Sequence, residues 1–269
     1  MRAVPAPHPD CSLPPDELER EYSPSSMVGG SSAPFVRDYA ERSAAVSSDL
    51  GARLEVLDDG SRLVRADVGA PLFVFVHGGY WQALSAADSV FLAPEVVGRG
   101  WSFAAVEYTI APRGTIEQMV VECRAALAAI RESIGATTKV VVAGHSAGAH
   151  LVAMSTLVGE SPVAVDEVVL VSGVVDLRPV QMMSVNDAVG LTPERAEALS
   201  PALRPVTGSP AVRVMWGGLD TAAFARQSRS YARTLRAAGL AVVEDERPDR
   251  HHFDILDDLP SLLGPAPPR

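Results

Sequence analysis

Several things are scarce in this chain, and each scarcity removes a class of protein. Only two cysteines occur in 269 residues, Cys11 in a Pro-rich start and Cys123 on the apolar face of a helical stretch. They offer no disulfide framework, which suits a reducing cytoplasm. No apolar stretch approaches the ~18 residues of a membrane span, and Met1-Arg2-Ala3-Val4-Pro5 runs into prolines rather than the apolar core of a signal peptide. Positive charge is in deficit: the formal net charge is −10 and no basic patch stands out, which argues against nucleic acid as a partner. There is no H-E-x-x-H, no paired C-x-x-C and no carboxylate cluster, so no metal site is expected.

What is present is a hydrophobic fraction of 47%, ample for one large core. Leu54–Leu57 and Leu63–Val68 flank Asp58-Asp59-Gly60 and read as a hairpin with a D-G turn. Short helices are expected over 16–22 and 34–47. From residue 72 the pattern becomes apolar strand, loop, helix, repeated, the signature of a parallel sheet covered on both faces. Strands are predicted at 73–76, 102–107, 139–143, 167–171, 212–216 and 240–246, about eight with the hairpin. In one helix Thr115-Ile116-Glu117-Gln118 opens a capping box, and Ile116, Met119, Cys123, Leu127, Ile130 and Ile134 recur at steps of three and four before Gly135 stops it. A second helix from Ala222 turns Phe224, Tyr231 and Leu235 inward and leaves Arg226, Arg229, Arg233 and Arg236 on a solvated face. The domain is expected over 16–259, with 178–210 as a small cap insertion, and the Pro-rich ends, 1–15 and 260–269, loose.

Two glycine-flanked segments carry the chemistry. Gly144-His145-Ser146-Ala147-Gly148 ends the run Val140–Ala143 and leads into an Ala-rich helix. A G-x-S-x-G in that context is a nucleophile elbow: the turn strains the serine backbone, and the flanking glycines let strand and helix nearly touch. Ala147 at the helix start would donate one N–H to a developing oxyanion. His77-Gly78-Gly79-Tyr80-Trp81 ends the run Phe73–Val76 and reads as the partner oxyanion loop, with Gly79 and Tyr80 as donors and Gly78 shaping the turn. One such donor is worth on the order of 3 kcal/mol in the transition state. Tyr80 and Trp81 are candidates to hold an aromatic ring, and core packing is the competing role for Trp81. His77 is read as structural.

A serine hydroxyl needs a base, which in this fold follows the nucleophile and the acid in chain order. Downstream of Ser146 lie His150, His251 and His252. His150 points along the nucleophile helix and is read as packing, which leaves His251 and His252. For the acid, Asp220 closes the loop after strand 212–216 and could also serve the next helix as an N-terminal carboxylate; Asp176, Asp245 and Asp249 are its rivals.

These residues resemble the kynurenine formamidase (arylformamidase) family of α/β-hydrolases. The resemblance runs from about residue 72 to 257 and is carried by HGGYWQ at 77–82, YTIAPRGTIEQMV at 108–120, GHSAGAHLVAM at 144–154, LVSGVVDL at 170–177, ND at 186–187, SP at 200–201, 224–228 and HFDI at 252–255, with a weaker match at 21–24. It implies an α/β-hydrolase fold with a mostly parallel eight-stranded sheet, helices on both faces and a small cap. It implies the triad Ser146, Asp220 and His252, with His251 standing where the family often has an acidic residue. The implied reaction is hydrolysis of an N-formyl arylamine, N-formyl-L-kynurenine first, through a formyl-serine and without cofactor. The alternative is a carboxylesterase for small aryl or alkyl esters. The expected partner is a small molecule, and the oligomeric state, homodimer included, is left open.

Overall fold

Alternation within the apolar runs decides the architecture. The computed structural model describes residues 6–266, and the sheet strands split their side chains between two cores. Leu72, Val74 and Val76 face one core while Phe73 and Phe75 face the other; Val140 and Val142 oppose Val141 and Ala143 in the same way. Each such side chain, once buried, contributes roughly 1.5–3 kcal/mol, and a strand buried on both faces has no room for polar alternation.

The chain opens with α1 (Pro15–Glu21) and α2 (Ala33–Leu50), then the hairpin β1 (Leu54–Val56) and β2 (Arg62–Val64). There follow β3 (Leu72–Val76), α3 (Ala93–Gly98), β4 (Ser102–Val106), α4 (Ile116–Ile134), β5 (Val140–His145), α5 (Ala147–Thr156) and β6 (Glu167–Val171). Two short helices, α6 (Asn186–Val189) and α7 (Pro193–Ala198), precede β7 (Ala211–Gly217), α8 (Ala222–Ala237) and β8 (Val242–Arg247). A 3-10 segment, Asp254–Leu262, closes the described chain. The eight strands form one sheet in the order β1-β2-β4-β3-β5-β6-β7-β8. β2 pairs antiparallel with both β1 and β4, and every other pairing is parallel. The predicted strands and the hairpin are all present. α4 spans the predicted stripe, with Ile116, Met119, Cys123, Leu127 and Ile130 buried. Helices α4, α5 and α8 cover one face; α2, α3 and the 3-10 segment cover the other. Among the described residues no helix is long and apolar enough to cross a membrane.

Two expectations need correction. The Pro-rich ends are not loose where they are described. Asp10 is buried, its carboxylate accepting from the Tyr22 hydroxyl at 2.9 Å and from Arg226 at 3.1 Å. At the other end, Leu263 is buried, Trp101 Nε1 donates to the Gly264 carbonyl at 2.8 Å, and Ala266 N–H donates to Arg99 at 2.9 Å. Proline content removes donors but leaves carbonyls and flanking side chains free to dock. Residues 1–5 and 267–269 lie outside the described residues. The face of α8 is also not simply solvated: Arg226 pairs with Asp10 and Glu21, Arg229 with Glu246, and Arg236 with Glu244.

Gly148 faces the carbonyls of Val76 and His77 so closely that a Cβ there would overlap them, whereas Gly98 has nothing within 4 Å. Gly148→Ala should therefore cost roughly 3 kcal/mol or more, lowering the melting temperature by about 6–12 °C. Gly98→Ala should leave it unchanged or slightly raised, and a thermal melt of the two variants side by side checks both.

Candidate active site

The catalytic candidates gather at the carboxyl ends of the strands, where the loops after β3, β5, β7 and β8 meet. Ser146 sits between β5 and α5 with φ 54° and ψ −118°, a strained conformation for a residue with a side chain. That turn exists because the backbone closes on itself: a Cβ on Gly144 would overlap the Gly148 carbonyl, and one on Gly148 would overlap β3. The glycines at both flanks are thus obligatory, as the sequence pattern requires.

The oxyanion candidates lie against this turn. A Cβ on Gly78 would come within 2.8 Å of the His145 carbonyl oxygen and 3.2 Å of Ser146 Cβ. Gly79, Tyr80 and Trp81 all have positive φ (93°, 49° and 59°), so the loop is a run of left-handed residues. Its turn is closed by the Gly79 carbonyl, which accepts from Gln82 and Ala83 N–H at 3.0 Å each. Among the described residues, the N–H groups of Gly79, Tyr80 and Ala147 donate to no protein acceptor. His77 braces the loop by stacking on Tyr108 at 4.2 Å, while the Tyr108 hydroxyl donates to the His77 carbonyl at 2.9 Å.

His252 Nδ1 lies 2.7 Å from Asp220 Oδ2, and both side chains are almost wholly buried. An acidic acceptor at that distance assigns the proton to Nδ1 and leaves Nε2 free to accept. Asp220 Oδ1 takes the Thr221 N–H at 2.8 Å at the start of α8, so the carboxylate holds both roles open to it. Its rivals are occupied or remote: Asp176 is paired with Arg178 at 2.6 Å, Asp245 with Arg213 and Arg247, and Asp249 is exposed. His251 turns elsewhere. Its Nδ1 accepts from the N–H groups of Phe253 and Asp254 at 3.1 and 3.3 Å, and its ring stands edge-on to Phe35. His150 is a packing residue, fully buried, with Nε2 donating to the Leu199 carbonyl at 2.8 Å.

One cavity of about 290 Å³ joins these parts, at the small end for a ligand pocket. Ser146, His252, Gly79 and Tyr80 line it, with Leu84, Val185, Phe253 and the α2 side chains Val36 and Tyr39 as apolar walls. Trp81 does not. It is fully buried beneath the loop, edge-on to His150 at 5.3 Å, so packing, not substrate contact, is its role here. From the expected cap at 178–210 only Val185 reaches the cavity, and the N-terminal segment around residues 23–39 forms that wall instead. Among the described residues, no three of His, Cys, Asp and Glu gather so as to hold a metal ion.

Sequence reading overlooked the ties between these loops. His145 Nε2 donates to the His252 carbonyl at 2.8 Å, joining the Ser146 turn to the His252 loop. Burial, and after it the neighbouring His252, hold His145 well below the ordinary histidine pKa, so it is neutral. The Tyr39 hydroxyl donates to the Phe253 carbonyl at 2.6 Å, one residue past His252. His145 was visible inside the motif; Tyr39 carried no signal, being 214 residues from its partner.

The chain matches the Abhydrolase_3 model, described as an α/β hydrolase fold, over residues 73–254. It is 33% identical to kynurenine formamidase of Danio rerio, over 92% of each chain, and 31% identical to that of Salmo salar, over 91% of each. Among solved structures, a candidate thioesterase from Silicibacter sp. tm1040 superposes with a TM-score of 0.78 at 28% identity, over 91% of this chain and 95% of that one.

Burial lowers His150 to a pKa of about 4. Below pH ~6.5 the unfolded chain takes a proton at this residue and the folded one does not, so stability falls as pH drops from ~6.5 towards 4. Between pH 7 and 5 this residue should account for a loss of about 2 kcal/mol. Urea unfolding at both pH values should give a smaller difference for His150→Gln than for the unaltered chain.

Proposed function

The chain belongs to the kynurenine formamidase family of α/β hydrolases, and we propose that it cleaves the formamide of an N-formyl arylamine, N-formyl-L-kynurenine first, with Ser146 as nucleophile, His252 as base and Asp220 as the partner of that base. The observation that carries this reading is the buried 2.7 Å contact of His252 with Asp220 in the cavity that Ser146 lines.

In this mechanism Ser146 Oγ attacks the formyl carbon and its proton passes to His252 Nε2. Asp220 keeps the proton of Nδ1 in place and offsets the charge of the imidazolium. The tetrahedral oxyanion is received by the N–H groups of Gly79, Tyr80 and Ala147, with Gly78 holding the loop against the turn. Imidazolium then protonates the aryl nitrogen, which leaves as the free amine. Water repeats the sequence on the formyl-serine and releases formate. A formyl group bears only hydrogen on its carbonyl carbon, which suits a reaction centre crowded by His145, Ser146 and the glycine loop. Tyr80, Phe253 and Leu84 offer surfaces for the aryl ring. Burial, and after it the charge of Asp220, raise the Tyr80 phenol, so it remains a donor and holds the loop to the Tyr22 carbonyl. No metal or organic cofactor is called for by these steps. The free thiols of Cys11 and Cys123 are in keeping with a cytoplasmic setting.

The same machinery would serve an ester, so the two substrates must be compared directly. N-formyl-L-kynurenine should be hydrolysed with a kcat/KM at least matching that for p-nitrophenyl acetate; ester turnover faster by several orders of magnitude would favour the esterase. Ser146→Ala and His252→Ala should each lower formamide turnover by ~10³-fold or more, with the proteins still folded. His251→Ala should stay within about threefold, its cost falling on stability through the two hydrogen bonds its ring accepts from the Phe253 and Asp254 N–H groups.

A further inference from the structure

The cavity has an unusual polar inventory. Among the described residues, no Asp, Glu, Lys or Arg lines it. Most of its polar side chains beyond Ser146 are already engaged: His252 with Asp220, His145 with the His252 carbonyl, Tyr39 with the Phe253 carbonyl, Gln82 with the Val185 carbonyl at 2.9 Å, and Tyr80 with the Tyr22 carbonyl. Ser23, Ser25 and Ser32 differ. All three line the cavity, and among the described residues none of their hydroxyls makes a hydrogen bond to the protein.

Ser23 and Ser25 sit on a segment that is held firmly in place, while Ser32 is exposed at the start of α2. Tyr22 is fully buried; its hydroxyl donates to Asp10 at 2.9 Å and accepts from Gln227 Nε2 at 3.0 Å. The Glu21 carbonyl accepts from the hydroxyl of Thr221, next to Asp220, and the Tyr22 carbonyl accepts from Tyr80. Pro24 is buried within a short 3-10 turn, Pro24–Met27. Two unused hydroxyls on a fixed backbone, with the more exposed Ser32 beside them, are thus presented to the space in front of Ser146.

We infer that Ser23, Ser25 and Ser32 form the specificity subsite that receives the polar, non-reacting end of the substrate, and that this end carries no net charge. The inference rests on the formamidase reading of the same site. The chemistry follows from what a hydroxyl can do. It both donates and accepts, so a group of them satisfies an ammonium and a carboxylate on the same carbon. A zwitterionic amino-acid end needs that combination. An anion without its ammonium would instead be met best by a cation, since even a half-buried carboxylate loses part of its hydration, and no cationic side chain lines the cavity. The three serines therefore select an arylformamide bearing an α-amino acid side arm over the same arylformamide bearing a lone carboxylate.

The test compares N-formyl-L-kynurenine with N-formylaniline, which has the reacting group but no side arm. In Ser23→Ala/Ser25→Ala, and further with Ser32→Ala, the ratio of kcat/KM for the first compound over the second should fall tenfold or more, the scale of a lost hydrogen bond to a charged group. Ser23→Thr/Ser25→Thr keeps the hydroxyls and should restore most of the ratio. A ratio unchanged within twofold in the alanine variants, whether or not both activities drop, overturns the subsite. Unaltered enzyme that is folded but hydrolyses neither formamide would instead overturn the formamidase reading, and the subsite with it.

Discussion

The structure depends on one close approach of backbone to backbone. Where β5 turns into α5, the chain passes over the end of β3 with no room for a side chain at Gly144 or Gly148. That contact holds Ser146 in a left-handed conformation that an isolated serine avoids. Strain of this kind survives only where surrounding packing over-determines it. Here α5 is buried along its whole length and β5 is buried on both faces, so the cost of the turn is spread over much of the core.

Around that fixed point the other loops are tied rather than merely adjacent. His145 links the Ser146 turn to the carbonyl of His252, and Asp220 is held to the start of α8 while it engages the ring. The N-terminal segment adds a tie on each remaining side: Tyr22 to the loop of Tyr80, Glu21 to the loop of Asp220, Tyr39 to the loop of His252. Each bond is modest in isolation, of the order of 1 kcal/mol. Their joint effect is positional, because groups that must act together are set on a shared frame and lose little freedom during reaction.

Much of this was legible in the sequence because local rules and tertiary demands agreed. The apolar runs at 73–76, 140–143 and 167–171 are β-branched or aromatic and too short for helices, so the central strands could be read directly. The N-cap at Thr115 and the stop at Gly135 bounded α4 to the residue, though the Gln118 amide turns to Glu122 rather than completing a capping box. The glycines at 144 and 148 announced the turn through a need for space that is purely local. What escaped reading depends on distant partners. Trp81 carries an aromatic ring fit for stacking on a substrate, and only the surrounding core decides that it faces inward. The Pro-rich start looked unstructured because nothing nearby reveals that Asp10 meets Tyr22 and Arg226. The stretch 178–210, a cap by its length, sends only Val185 to the cavity, because the wall it was expected to form is occupied by residues 23–39.

The ties made by the first forty residues also set an order of events during synthesis. Asp10 waits for Arg226, and Tyr39 for Phe253, separations of 216 and 214 residues. At cellular elongation rates that interval is roughly 10–40 s. Throughout it, the emerging polypeptide holds its apolar α2 side chains without the late 3-10 segment, Asp254–Leu262, that shares their core. The cavity walls therefore come together only once the loop carrying His252 and Phe253 has been made, and no fragment that stops before it possesses them.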